Sequence, residues 1–398
     1  MWKLLYKLYL LEKSKMQHQI KQLLSDWGQL HLFEGVESLS GAELRSFLDQ
    51  LQKYDSSLAF KQKQLLAHPN PQYPALPCSQ FARSGNPEDF CRGEQLLRQG
   101  QVGCLILAGG QGTRLKFDGP KGAFPLLDGK SLFQIFCEKV KQASLLAGIN
   151  LPLCLMTSEL NHQQTVDFFH EHDCFGLEAS QLSFFTQEML PFLSDSGDWI
   201  LEKPGKILEG PDGNGHALHL FYKTGLWRQW KEKGVEYLNV IFVDNALADP
   251  FDPEFVGFTV RKGVDAALKA VERLKADEKM GAVAERDGKL KVIEYFELPS
   301  NASEFTLSST GMFCLSMSFI EHLCKDLNAE FPLHLSRKNA VWKCERFLFD
   351  LLHYARSSAA FVCPREKIYA PLKNATGEHS LETVQKALLK NLNFRSLS

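Results

Sequence analysis

The stretch Val102-Gly-Cys-Leu-Ile-Leu-Ala108, running straight into Gly109-Gly-Gln-Gly-Thr-Arg-Leu-Lys-Phe-Asp-Gly-Pro-Lys-Gly122, decides the reading of this chain. A short continuous apolar run that stops at glycines reads as a buried strand. The glycine-rich segment behind it cannot be regular structure, and its backbone N–H groups are open to an anion because no side chains obstruct them. Two familiar nucleotide motifs fail here. A G-x-G-x-x-G fingerprint starting at Gly110 would need glycine where Leu115 stands. A Walker A loop ending at Gly129-Lys130-Ser131 would need glycine where Phe124 stands.

Outward from this stretch, strands and helices alternate. Ser131 is an N-cap candidate for a helix over 131–146, followed by a buried strand at 151–157, a helix at 161–172 and a strand at 182–187. A second glycine loop, 209–217, leads into a helix reaching about 233, and a strand at 235–245 ends in Asp244-Asn245. Such alternation predicts a mainly parallel sheet covered on both faces. Ligands of these sheets sit beyond the carboxyl ends of the strands. Three strand ends carry polar loops: 109–122, the segment after Gln187, and Asp244-Asn245. Asp287-Gly288 between alternating runs predicts a hairpin.

Residues 13–66 carry apolar positions such as Leu23, Leu24, Trp27 and Leu30 at helical spacing, and Asn70-Pro71, Pro74 and Pro77 break that pattern. A small helix is expected over 378–393. The division expected is a helical N-terminal region (1–100), a catalytic domain (101–376) and a C-terminal helical tail (377–398).

Composition sets the outer limits. In 398 residues, 44% are hydrophobic and 23% charged, which excludes disordered, collagen-like and coiled-coil classes. The formal charge is −2, from 45 basic against 47 acidic residues, which argues against nucleic acid as the main partner. None of the ten cysteines forms a C-x-x-C pair, so a structural zinc site and a disulfide framework are not expected, and scattered thiols fit a reducing compartment. The apolar, basic start, MWKLLYKLYLLEK, is interrupted at Lys7 and has no small-residue cleavage site after it. It reads as a helix without stable membrane insertion, and the expected location is cytoplasmic.

The motif that does stand, Gly-Gly-x-Gly-Thr-Arg-Leu with Pro120-Lys121-Gly122, resembles the signature of sugar-1-phosphate nucleotidyltransferases. Downstream, MTS (156–158), FF-x-Q-x-MLP (184–191), PDGNG (211–215), VDN (243–245), EY (294–295), F-x-FD (347–350) and PLKNA (371–375) follow in order. Together they resemble the UDP-N-acetylhexosamine pyrophosphorylase branch of the UDP-glucose pyrophosphorylase family. The resemblance implies an α/β fold: a Rossmann-like mixed-sheet core of the nucleotide-diphospho-sugar transferase (GT-A-like) kind. It also implies UTP and a sugar 1-phosphate as substrates, with Mg²⁺.

Position by position, the resemblance assigns Leu107, Ala108, Gly109 and Gly110 to the UTP base and phosphates. Arg114 and Lys121 go to the triphosphate, and Gln187 to the uracil edge, where an amide donates and accepts at once. Gly213 and Asn214 go to uridine and sugar, and Asp244 to Mg²⁺. Glu294 and Tyr295 would bind sugar, Lys343 and Lys373 phosphate, and Phe347 and Phe349 would line the sugar pocket. The chain departs from the family at Lys116, where glycine is usual, and over Ser308-Ser-Thr-Gly-Met312, where asparagines contact sugar hydroxyls. The expected reaction is uridylyl transfer to N-acetylglucosamine 1-phosphate. Glucose 1-phosphate as substrate, and a catalytically silent UDP-sugar-binding regulator, stay open as alternatives. Oligomeric state is not indicated.

Overall fold

The computed structural model describes residues 2–68, 75–299, 301–327, 329–338 and 340–395, with side chains from 6 to 391. Asn70-Pro71 and Pro74 lie outside that description, and Pro77 ends a short strand, Leu76–Pro77. The chain folds as two compact units.

The larger unit takes residues 72–188, 214–331 and 348–398. Its sheet runs, edge to edge, through the strands Phe81–Arg83, Ser358–Val362, Ala266–Glu272, Leu307–Ser316, Tyr237–Phe242, Val102–Leu107, Leu153–Ser158 and Leu182–Gln187. Along that path only Leu307–Ser316 runs antiparallel. The sheet is therefore mixed, as the resemblance implied, rather than purely parallel. The expected hairpin is present: Ala282–Arg286 pairs with Lys289–Ile293. Asp287 and Gly288 both have positive φ, 52° and 72°, as a two-residue hairpin turn requires.

Alternate residues of the central strands feed two cores, one on each face. Cys104, Ile106, Leu153 and Leu155 join one core, where Leu132, Phe133, Phe136 and Val140 of the helix Leu132–Ala147 cover them. Leu105, Leu107, Cys154 and Met156 join the other, under Leu218, Phe221 and Trp230. This two-sided burial explains why these strands read as unbroken apolar runs. Each fully buried side chain of this size stabilises the fold by roughly 1.5–3 kcal/mol. Ser131 caps its helix as expected, its hydroxyl accepting from the Gln134 N–H at 3.1 Å. The helix expected to reach 233 breaks in two, Ala217–Lys223 and Leu226–Glu232, because Gly225 adopts φ +83° between them. The C-terminal helix is Leu381–Arg395.

The smaller unit gathers residues 1–71, 189–213 and 332–347. Two segments assigned by sequence to a continuous 101–376 domain thus pack with the N-terminal helices. The reason is hydrophobic. Ile20, Leu24, Phe47 and Leu51 from the helices Trp2–Asp26 and Gly41–Gln52 share one core with Leu193, Trp199, Ile207 and Cys344. Trp199 meets Trp27 and Tyr54 edge-on, at 5.7 and 5.0 Å between centroids, and its indole N–H donates to the Gln62 side chain at 2.7 Å. The first helix ends at Asp26 before Gly28 at φ +68°. Leu30 therefore lies in a 3₁₀ turn and is exposed, instead of continuing the helical face. Ser40 and Glu43 form a capping box on the second helix. Among the described residues no helix is long and apolar enough to cross a membrane.

Candidate active site

In the larger unit, the carboxyl ends of four parallel strands lie along one edge of the sheet, because the register pairs Leu107 with Phe242 and Met156, and Ser158 with Gln187. The glycine loop leaves this edge. It folds back on itself through Gly112 N–H to Gly119 C=O at 3.0 Å and Lys121 N–H to Gly110 C=O at 3.1 Å. A β-carbon on Gly109 would sit 2.2 Å from the Gln187 side-chain nitrogen, so only glycine lets the strand-end glutamine lie against the loop. Gln187 is buried. At Gly110 nothing lies within 4 Å of the corresponding position, and that face of the loop is open.

Lys116, where the family usually carries glycine, has φ +55°. The backbone here keeps the left-handed conformation that glycine favours.

A charged cluster forms beside the loop. The 120–122 turn carries Lys121, whose ammonium pairs with the Asp244 carboxylate at 3.4 Å, both side chains mostly buried. The segments containing Asp244 and Lys373 are joined by main-chain and amide bonds. The Leu372 N–H donates to the Asp244 carbonyl at 2.8 Å. The Asn245 side chain accepts from Ala370 N–H at 2.9 Å and donates to Ile368 C=O at 2.8 Å. Lys373 N–H is held by the His379 carbonyl at 2.8 Å. Burial pulls the Lys373 ammonium down, but Tyr369 and Asp244 outweigh it, and its pKa stands above the ordinary lysine value. Arg114, exposed on a 3₁₀ turn of the loop, adds positive potential at Lys373. Burial and then the Lys373 charge push the His379 ring below the usual histidine pKa. The cluster holds three cations and one carboxylate: a place for a polyanion.

The other predicted residues are spread more widely. The Asn214 side chain accepts from Leu348 N–H at 2.7 Å, which fixes the turn carrying Phe349, itself packed on the second core. Glu294 and Tyr295 follow the Lys289–Ile293 strand, with the Tyr295 ring edge-on to Phe296 at 5.2 Å. Gly213, Lys343 and Phe347 belong to the smaller unit. There Gly213 has φ +93° and touches the backbone of Arg346, Lys343 pairs with Glu345 at 2.7 Å, and Phe347 packs on His334 at 4.8 Å. The altered 308–312 segment lies inside a sheet strand. Met312 is buried, the Thr310 hydroxyl donates to Lys269 C=O at 2.7 Å, and the Ser309 hydroxyl accepts from Gly311 N–H at 3.1 Å.

Sequence reasoning gave no role to Asn161, or to Ser158 although it lies in the MTS stretch; both bond the carbonyls of the glycine loop. The available signal was a Ser-x-x-Asn spacing between a strand end and a helix start.

A profile described as UTP–glucose-1-phosphate uridylyltransferase matches residues 76–376. The chain belongs to that family. Among its relatives, UDP-N-acetylglucosamine diphosphorylase 2 of Arabidopsis thaliana is 34% identical over 72% of this chain and 64% of its own length. The chain thus spans under two thirds of that relative. UDP-N-acetylglucosamine pyrophosphorylase of Saccharomyces cerevisiae is 30% identical over 93% of this chain and 89% of its own. Among solved structures, the uridine diphosphate N-acetylglucosamine pyrophosphorylase of Trypanosoma brucei superposes with a TM-score of 0.82 at 25% identity, covering 94% of this chain and 84% of the other. The mixed-sheet nucleotidyltransferase fold expected from the motifs is therefore the fold found.

Proposed function

We propose that this chain is a uridylyltransferase that joins UTP to a sugar 1-phosphate, releasing pyrophosphate, with N-acetylglucosamine 1-phosphate as the favoured sugar. The observation that carries this is the cluster of Lys121, Asp244 and Lys373 at the strand ends, next to a glycine loop closed by Gln187. The names of the Arabidopsis, yeast and trypanosome relatives support the N-acetylated sugar.

In this reaction a phosphate oxygen of the sugar 1-phosphate attacks the α-phosphorus of UTP. The bond from that phosphorus to the bridging oxygen of the β-phosphate breaks, and its electrons leave with pyrophosphate. The attacking oxygen is already an anion at neutral pH, so no general base is needed. The barrier is electrostatic: two polyanions must meet, and charge grows on the leaving group. Arg114 and Lys121 would hold the triphosphate, and Lys373 would meet the sugar phosphate. Lys121 and Lys373, mostly buried and held beside Asp244, need little reorganisation during the step. Gln187, beside Gly109, would read the uracil edge.

Asp244 fits a divalent metal of the Mg²⁺ type. It offers one hard carboxylate, and Mg²⁺ takes few protein ligands when phosphate oxygens and waters complete its shell. Bound there, the ion would neutralise charge on the phosphates. The reading is tested by pyrophosphate release from UTP with Mg²⁺ and a panel of sugar 1-phosphates: N-acetylglucosamine, N-acetylgalactosamine, glucose and galactose. Turnover led by N-acetylglucosamine 1-phosphate supports it. Turnover led by glucose 1-phosphate replaces the sugar assignment.

A further inference from the structure

The helix His162–Glu171 begins after Asn161, which sits at the N-cap position with φ −134° and ψ 3°. An asparagine there ordinarily turns its side-chain oxygen onto the N–H groups of the first turn. Here it makes no such bond. Its Nδ2 donates instead to the carbonyls of Ala108 at 3.0 Å and Gly110 at 3.1 Å. Its Oδ1 accepts from the Ser158 N–H at 2.8 Å. The Ser158 hydroxyl lies 2.9 Å from the Gly109 carbonyl and 3.1 Å from Asn161 Oδ1. Both residues are buried, at 0% and 1% exposure. Three consecutive loop carbonyls therefore face one buried clamp.

Peptide planarity gives this a consequence. In a trans peptide the N–H points opposite to the C=O of the preceding residue. With the carbonyls of 108, 109 and 110 turned to the clamp, the N–H groups of Gly109, Gly110 and Gln111 are turned away from it. Among the described residues these three N–H groups have no acceptor, whereas Ala108 N–H and Gly112 N–H on either side are bonded, to Met156 and Gly119. Adjacent main-chain N–H groups aimed the same way form an anion cradle.

We infer that Asn161 and Ser158 are positioning residues that hold the glycine loop with its N–H groups aimed at a polyphosphate. This rests on the uridylyltransferase reading for the identity of the natural ligand, UTP. It does not rest on it for the cradle itself, because any inorganic polyphosphate carries the same chemistry. Neither side chain touches the reacting atoms. Each acts through the orientation of peptide planes, and each should matter more for phosphate binding than for the base, which Gln187 would hold with its own side chain.

The test measures dissociation constants of UTP, inorganic tripolyphosphate and uridine for the whole chain and for Asn161→Ala, Ser158→Ala and Ser158→Thr, with the melting temperature of each. The expected result is that either alanine weakens UTP and tripolyphosphate about ten-fold or more and weakens uridine several-fold less. Ser158→Thr, which keeps the hydroxyl, should stay close to the parent. If Asn161→Ala does not fold, Ser158→Ala decides the question. Unchanged tripolyphosphate binding in the folded alanine variants overturns the inference. So does equal weakening of UTP and uridine, which is what a general loss of structure gives. A parent protein that binds tripolyphosphate but neither UTP nor uridine contradicts the uridylyltransferase reading alone, and the variants still judge the clamp on tripolyphosphate. A parent that binds no tripolyphosphate overturns the clamp.

Discussion

Gln187 lies where Gly109 has no side chain: its amide nitrogen is 2.2 Å from the point a β-carbon would occupy. The two residues end neighbouring regions of one sheet edge, and the smallness of one fixes the position of the other. Gly109→Ala should therefore displace Gln187 and raise the KM for UTP about ten-fold or more. Gln187→Ala should do the same by removing the amide. Because both changes remove one contact, the double variant should be little worse than either single one. Steady-state pyrophosphate release gives all three values, and simple multiplication of the two effects would show that the residues act independently.

Arg114 is exposed, and its guanidinium is available for a phosphate. Arg114→Ala should lower kcat by about 10²–10³-fold, the usual effect of removing one preorganised charge contact, with an unchanged melting temperature. Full turnover in the folded variant would remove Arg114 from the mechanism.

Asp244→Asn keeps the shape of the side chain and removes its charge. Lys121 and Lys373 then both lose the carboxylate beside them. The Mg²⁺ concentration needed for half-maximal turnover should rise by about ten-fold or more. A Mg²⁺ dependence equal to that of the parent would place the metal elsewhere.

Lys269 is fully inside the strand Ala266–Glu272, its ammonium paired with Asp252 and 4.8 Å above the Phe255 ring. Burial lowers its pKa, but Asp252 overcomes that and holds it above the ordinary 10.5. A lysine with a raised folded-state pKa stabilises the fold fully below its unfolded value. That stability is lost as pH rises through the folded one. Denaturant unfolding should thus show stability falling above about pH 10.5. Lys269→Met alone should cost about 3 kcal/mol or more by stranding a carboxylate. Adding Asp252→Ser, which keeps a hydroxyl at the cap of the helix Pro253–Lys262, should recover much of that loss. No recovery would mean that the pair is not what the single change disrupts.

Lys116 at φ +55° gives the smallest test. Lys116→Gly should raise stability by up to about 1 kcal/mol, because a left-handed conformation strains any side-chain-bearing residue. A lower melting temperature would contradict the assigned backbone.

Much of this was legible in the chain itself. The central strands announce themselves because both faces are buried, so every position is apolar and the run has sharp ends. Ser131, the Asp287-Gly288 turn and the glycine loop are local features that need only neighbouring residues. The break at Gly225 was harder to see, since an isolated glycine is compatible with a helix until its φ is known. The gathering of 189–213 and 332–347 with the N-terminal helices depends on Leu193, Trp199 and Cys344 finding Ile20 and Phe47 across the chain, which no local pattern encodes. The residues of the glycine loop were readable by motif. The buried Asn161 behind it was not, and Ser158 was readable only as part of the MTS stretch, because the role of both appears only in which carbonyls they bond.

The central claim is that the strand-end cluster performs uridylyl transfer. The most direct measurement is pyrophosphate release from UTP, Mg²⁺ and N-acetylglucosamine 1-phosphate, in the parent and in Arg114→Ala. Release by the parent that depends on both substrates and falls about 10²-fold or more in the variant is the result expected. A folded parent that releases no pyrophosphate with any sugar 1-phosphate, while still binding UTP or a UDP-sugar, would contradict the claim.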